Sequence, residues 1–270
     1  MKKCKISVLI GIYNCQSTLQ EALDSLYNQT CQDFKIILCD DGSEDDTFEI
    51  ALRNRDEHPD TIILIKNEKN MGLNYTLNHC LEYADTEYCA RMDGDDTCDP
   101  TRFEKEVAFL DTHPEYAIVS CGMTYFDEYG TFGKNLSKEF PGKDAFIYGT
   151  PFCHAPSMVR TKAYKAVNGY SVSKYYLRCE DYHLWAKMYA KGYKGYNLQE
   201  YLYAMRDDRN AIARRKMSGA RNQMVAHLYA CRVLCLPIKG YIYSFFPILK
   251  MLLPKTIYTY FHRRNLGLQK

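Results

Sequence analysis

Apolar strand-like runs alternate with helical stripes through the first half of this chain. That alternation restricts it to a sheet covered by helices. Ile6 to Ile12 is one apolar run, Phe34-Lys35-Ile36-Ile37-Leu38-Cys39 a second, and Thr61 to Ile65 a third. Between them Leu19, Ala22, Leu23 and Leu26 recur at helical spacing, then Phe48, Ala51 and Leu52, then Leu73, Leu77 and Leu81. Short unbroken apolar runs fit strands buried on both faces, and the 3.6-residue stripes fit amphipathic helices. Ser17 with Gln20, and Ser43 with Asp46, have the spacing of capping boxes at helix starts. A fourth strand, Glu87 to Met92, runs into Asp93-Gly94-Asp95-Asp96. Asp99-Pro100 then opens a helix carrying Phe103, Val107 and Leu110. The succession predicts an α/β fold with a mostly parallel sheet flanked by helices. The length of 270 residues and the 46% hydrophobic content suit one large domain with an appendage.

In such sheets ligands bind beyond the carboxyl ends of the strands. Three predicted strands end in polar residues: Tyr13-Asn14, Asp40-Asp41-Gly42-Ser43, and Asp93 to Asp96. A carboxylate at that edge can accept the ring N–H of uracil, and a tyrosine ring can stack on the base. The acidic cluster repels itself unless a cation or proton offsets the charge. Its hard oxygens suit Mg²⁺ or Mn²⁺, ions that also take substrate phosphates as ligands. The plainer reading of the cluster is a solvated acidic turn. No G-x-G-x-x-G follows the first strand and no G-x-x-x-x-G-K-[ST] is present, so dinucleotide cofactors and P-loop chemistry lack support.

Charge divides the chain. No Asp or Glu follows Asp208, whereas twelve of the 35 Lys and Arg do, among them Arg214, Arg232, Lys250 and Arg264. The segment from 209 to 270 therefore carries +12 and the first 208 residues −10, within a net charge of +2. Val225 to Phe261 is also rich in Tyr, Phe, Leu and Ile. A basic, aromatic extension fits an anionic lipid surface better than nucleic acid. Arg232, Lys239 and Lys250, with Pro237, Pro247 and Pro254, interrupt it too often for a spanning helix, so interfacial amphipathic helices are expected. The competing reading is a helical hairpin packed on the first domain, or a homodimer contact. We expect a domain over 1–208 and a helical extension over 209–270. The N-terminus carries no signal-peptide pattern and the 12 cysteines form no C-x-x-C pair. Reduced thiols in a cytoplasmic protein, peripheral on the inner membrane face, are the expectation.

The motifs, taken in order, resemble the family 2 glycosyltransferases, inverting enzymes of the GT-A type. The resemblance runs through Val8-Leu9-Ile10-Gly11-Ile12-Tyr13-Asn14, Leu23 to Thr30, and Asp40-Asp41-Gly42-Ser43 with Asp45 and Thr47. It continues through Asn67, Asn70-Met71-Gly72-Leu73 and Asn78, then Ala90-Arg91-Met92-Asp93-Gly94-Asp95-Asp96 with Pro100 and Arg102, and ends at Glu180-Asp181-Tyr182-His183-Leu184-Trp185. It implies a GT-A, Rossmann-like fold and transfer of a sugar from a nucleotide-diphosphate donor, UDP-linked by preference. The acceptor would be a glycan or a lipid-linked glycan in surface polysaccharide synthesis. By the same resemblance Tyr13, Asp40, Asp41 and Asp93 would bind the nucleotide. Asp95 and Asp93 would hold Mn²⁺ or Mg²⁺, and Asp181 would be the catalytic base with Glu180 beside it. Gly11 stands where the family commonly has proline, which would loosen the loop under the base. Leu77 stands where many members have Arg or Lys, which would remove a phosphate or base contact.

Three further residues are candidates for the acceptor or the diphosphate. His154 lies in Pro151-Phe152-Cys153-His154-Ala155-Pro156 and reads equally as a structural loop histidine. Trp185 is the only tryptophan; it either stacks on an acceptor sugar or fills the core. Arg206 either pairs with the diphosphate or begins the basic tail. Asp181 itself has a plainer reading, a helix-start acid favoured by the dipole. A sugar-1-phosphate nucleotidyltransferase shares the architecture but usually has a Gly-rich signature after its first strand, which Gly11-Ile12-Tyr13-Asn14 does not supply. A non-catalytic sugar-nucleotide or membrane-surface binding module is the remaining class.

Overall fold

The computed structural model describes residues 4–207 and 217–252. Its first four long strands are β1 (Ile6–Ile12), β2 (Phe34–Asp40), β3 (Ile62–Lys66) and β4 (Tyr88–Arg91). They lie in the order β3-β2-β1-β4, all parallel. Helices α1 (Leu19–Tyr27), α2 (Thr47–Glu57) and α3 (Leu73–Glu82) link them, as the stripes predict. After β5 (Thr97–Cys98) and α4 (Arg102–Thr112) the sheet becomes mixed. The strand β6 (Ile118–Asp127) carries a hairpin strand, β7 (Gly130–Asn135). Then β8 (Met158–Arg160) runs antiparallel between β4 and β6, and β9 (Gly195–Arg206) lies parallel to β6. Strand β5 closes the edge, antiparallel to β9. The mostly parallel expectation therefore holds for the N-terminal half; the C-terminal half mixes directions because β8 arrives from the far side of β4.

Side-chain alternation along β1 splits the core into two layers. Leu9 faces Ile37, Cys39 and Leu77, whereas Val8 and Ile10 face Leu23, Ile36 and Leu38. Both faces are covered, which is why these strands read as unbroken apolar runs. Helix α5 (Thr161–Ala166) and helix α6 (Glu180–Ala190) complete the first layer, and Trp185 lies within it.

The expected capping boxes do not form. Helix α1 starts after Thr18, and that hydroxyl instead reaches the carbonyls of Cys15 (3.3 Å) and Gly94 (3.2 Å). Ser43 accepts the Asn14 amide (3.1 Å), and Asp45 accepts the amides of Gln16 (3.3 Å) and Thr47 (3.1 Å). These short polar side chains tie the loop after β1 to the loop after β2, a competition expected of Ser and Asp near helix ends.

Gly11 and Leu77 acquire physical reasons. A Cβ at Gly11 would sit 3.0 Å from Thr76 Cγ2 and 3.4 Å from Leu73 Cδ1, so glycine lets the start of α3 lie against the end of β1. The loop there is packed rather than loosened. Leu77 is fully buried, a core residue with no reach to a phosphate.

The C-terminal helices are α7 (Met217–Val233), α8 (Ile238–Tyr243) and α9 (Phe246–Leu252). Ala226, Ala230, Cys231 and Leu234 share a core cluster with Leu184, Trp185 and Met188 of α6. Asn222 of α7 also donates to the carbonyls of Lys174 (2.9 Å) and Leu177 (3.3 Å), just ahead of α6. Helix α7 thus supports the first layer directly. Among the described residues no helix is long and apolar enough to cross a membrane. The 208/209 boundary lies outside the described residues, as do eight of the twelve tail cations. Among the described residues no disulfide forms, and Cys39 and Cys121 are buried in the core.

Candidate active site

The chain leaves the sheet after Arg91 and turns through the acidic cluster. One carboxylate oxygen from each of Asp93, Asp95 and Asp96 lies within 4.8 Å of the others. Asp96 is buried and accepts the Tyr203 hydroxyl and the Arg206 amide, both at 2.8 Å. Loss of water, then the charges of Asp93 and Asp95, push its carboxyl up to about 8. Asp95 is raised above the ordinary carboxylate range by the same loss of water and by Asp93. Asp93 is gripped by both terminal nitrogens of Arg91, at 2.8 and 2.5 Å, and its amide donates to the Tyr203 hydroxyl at 3.2 Å. Hard carboxylate oxygens gathered this closely fit a divalent cation such as Mg²⁺ or Mn²⁺. Asp95 and Asp93 would be its ligands, with Asp96 braced behind them.

A cleft of about 310 Å³ opens beside this cluster, lined by Tyr13, Asn14, Asp93, Gly94, Asp95 and Arg206 among others. Tyr13 is 43% exposed, its ring open to a ligand. Arg206 ends β9 rather than starting a solvated tail. Its Nε donates to the Asp95 carbonyl at 3.1 Å, its NH2 meets Glu21, and its guanidinium lies 4.5 Å over the Phe126 ring.

Asp40 ends β2 and Asp41, itself buried, follows it, its amide donating to the Ile12 carbonyl (2.8 Å). Asp41 accepts Asn67 Nδ2 and the amides of Met71 and Gly72, each at 2.8 Å. Those bonds fill three of roughly four acceptor positions on a carboxylate. The expectation for Asp40 needs correction. Its side chain is fully buried, accepts the Ser43 amide at 3.2 and 3.3 Å, and lies 3.5 Å from Lys66 Nζ. It braces the turn and has no surface for a nucleotide.

Glu180 and Asp181 form the first turn of α6. Burial raises both carboxyls above the usual range, and Asp181 raises Glu180 further. The Tyr182 amide, the Arg91 charge and the Thr150 hydroxyl pull Asp181 back down. The pair does not line the 310 Å³ cleft; the Arg91 charge is what it shares with Asp95. His154 bonds the Tyr170 hydroxyl through Nε2 at 2.8 Å, and burial, then Arg91, hold it well below the usual histidine range. It ends a Tyr164–Tyr170–His154 hydrogen-bond chain. Trp185 is fully buried, edge-on to Phe152 (5.7 Å between centroids) and His154 (6.1 Å). It is a core aromatic and offers no face to an acceptor, which corrects the stacking alternative.

Arg91, Tyr203 and Asn67 received no role of their own from the sequence, and Asp96 was read only as a member of the acidic cluster. Arg91 carried the one available signal, a charged residue inside a four-residue strand whose other members are Tyr, Cys and Ala.

A helix-flanked sheet whose strand ends deliver an aspartate cluster to an open cleft defines a GT-A glycosyltransferase. Residues 7–167 match the model of "Glycosyl transferase family 2", and the chain belongs to that family. It is 40% identical to EpsE of Bacillus subtilis (strain 168), named as a glycosyltransferase, over 98% of this chain and 96% of that one. It is 28% identical to the Escherichia coli UDP-Glc:alpha-D-GlcNAc-diphosphoundecaprenol beta-1,3-glucosyltransferase WfaP, over 71% and 73% of the two chains. Its fold is similar to that of S. aureus TarS 1-349 in complex with UDP-GlcNAc, with a TM-score of 0.73, 18% identity, and coverage of 93% of this chain and 77% of that one. It is also similar to the mannosyltransferase PcManGT from Pyrobaculum calidifontis in complex with GDP-Man and Mn²⁺, with a TM-score of 0.68, 15% identity, and coverage of 99% and 81%.

Proposed function

We propose that this glycosyltransferase is metal-dependent and inverting, and moves a hexose from a UDP-linked donor to a glycan or lipid-linked acceptor in surface polysaccharide synthesis. The observation that carries this is the gathering of Asp93, Asp95 and Asp96 at the lip of the cleft that Tyr13 and Arg206 line. The names of WfaP, a UDP-glucose-dependent enzyme acting on a diphosphoundecaprenol glycan, and of PcManGT with Mn²⁺ agree with it.

Each step falls to a residue of this chain. Tyr13 stacks on the base, and the remaining acceptor position of Asp41 takes the uracil N–H. Arg206 faces the diphosphate with a planar fork suited to phosphate oxygens. A divalent ion held by Asp95 and Asp93 would offset the charge that develops on the leaving diphosphate. Asp181 takes the proton from the acceptor hydroxyl as the hydroxyl attacks the anomeric carbon from the face opposite the diphosphate. A single displacement of that kind inverts the centre.

The membrane reading belongs to the same proposal. Ile238 and Ile242 on α8, Phe245 between the helices and Leu249 on α9 are exposed, near Lys239 and Lys250 in the sequence, with no acid in the sequence beyond Asp208. Interfacial helices of that chemistry would keep the protein cytoplasmic and peripheral, at a lipid-linked acceptor.

The test is UDP release from UDP-glucose, UDP-galactose and UDP-N-acetylglucosamine, with MnCl₂ or EDTA. Release from at least one donor, lost in EDTA, is expected. Equal release in EDTA would remove the metal, and release only from GDP-sugars would remove the uracil reading.

A further inference from the structure

We propose that Arg91 is a positioning residue for the transfer step, one buried cation that locks Asp93 and supplies the positive field under which the Glu180–Asp181 pair works. The inference rests on the reading of Asp181 as the base.

Arg91 closes β4 between β1 and β8, with 3% of its surface exposed. Burying a guanidinium there is costly unless the charge is paired. The pairing is the planar two-bond grip on Asp93, a geometry that lysine cannot reproduce. That grip sets the direction of the first carboxylate of the Asp93–Asp95 pair. It also leaves Nε buried without a hydrogen-bond partner. A buried polar group left unpaired costs stability, so its retention at the junction of the two carboxylate groups needs a cause beyond packing.

The surroundings of Asp181 supply one. Glu180 on its own helix adds negative charge, and the thiols of Cys153 and Cys179, pushed up chiefly by burial, also feel the Asp181 charge. The Thr150 hydroxyl, in the loop before β8, also lowers the Asp181 carboxyl. The Arg91 charge opposes the effect of burial at Asp181, and it acts in the same direction on Glu180 and, together with Arg206, on Asp95. Burial favours the protonated form of Asp181, and a protonated carboxyl takes nothing from an alcohol. The same cation that fixes Asp93 opposes that burial. One side chain thereby ties donor alignment to the state of the base.

The test compares full-length Arg91→Met and Arg91→Lys with the native protein. UDP release from the best donor of the UDP-sugar panel is followed with Mn²⁺ across pH, and UDP binding is measured by calorimetry. Arg91→Met is expected to lower kcat about ten- to a hundredfold, as loss of a supporting partner at a site typically does. It should also move the acidic limb of the kcat profile to higher pH, because removing the cation favours protonated Asp181. Arg91→Lys should return that limb toward its native position while kcat stays low, since the charge survives and the fork does not. A folded Arg91→Met with an unmoved limb overturns the proposal. If Arg91→Met does not fold, native kcat and native UDP affinity in Arg91→Lys overturn it instead. Asp181→Asn run alongside separates the two readings: transfer surviving in that variant defeats the base assignment, whereas its loss with an unmoved Arg91→Met limb defeats only the role of Arg91.

Discussion

The Tyr203 hydroxyl joins two members of the acidic cluster: it donates to Asp96 at 2.8 Å and receives the Asp93 amide at 3.2 Å. Tyr203 is buried on β9 and paired through β5 to the strand that follows the cluster. A phenylalanine there leaves a buried carboxylate and a backbone N–H without their partner. We expect Tyr203→Phe to cost about 1–3 kcal/mol, read as a lower urea midpoint with an unchanged slope. An unchanged midpoint would mean that water replaces the hydroxyl freely.

Asp95 carries the metal assignment. Asp95→Ala should weaken UDP binding in Mn²⁺ and leave the weak binding in EDTA unchanged. Calorimetry of UDP binding in the two conditions reads both. A variant that binds UDP as tightly as the native protein in Mn²⁺ would contradict the ligand role.

The N-terminal half of the fold was legible because strands buried on both faces leave unbroken apolar runs, as Ile6–Ile12 and Phe34–Asp40 do. The mixed half was not. Strand β8 has three residues and β5 two, too short for any periodicity. Motif order named Tyr13, Asp93 and Asp95, which line the cleft, and Asp181, which does not. It could not separate Asp40 from Asp41, because adjacent residues in one motif point opposite ways: one into the turn at Ser43, the other toward Met71 and Gly72. Trp185 was ambiguous for a related reason, since a helix face shows its partner only once Phe152 and α7 are packed on it.

Membrane association is tested by point variants rather than by ending the chain near Asp208, because removing α7 would uncover Trp185 and its neighbours. Ile242→Glu and Phe245→Glu place charge on the exposed face of the C-terminal helices without touching that layer. Flotation with anionic vesicles should fall in both, and added salt should weaken what remains. Native flotation by the double variant would exclude this face.

The raised carboxyl of Asp181 gives the pH dependence a sign. A base must be ionised to act, so the rate falls as pH drops through the Asp181 value. That acidic limb should lie above the ordinary aspartate value of 3.8. A kcat profile flat down to that value would show that no such group controls transfer.

The most direct measurement is Asp181→Asn, assayed for UDP binding and for transfer in the same Mn²⁺ buffer. The substitution keeps the shape of the side chain and removes the proton acceptor. Binding should stay within about twofold of native while transfer falls at least about a hundredfold, the scale of a lost general base. Parallel loss of binding and transfer, or transfer that survives, would contradict the account.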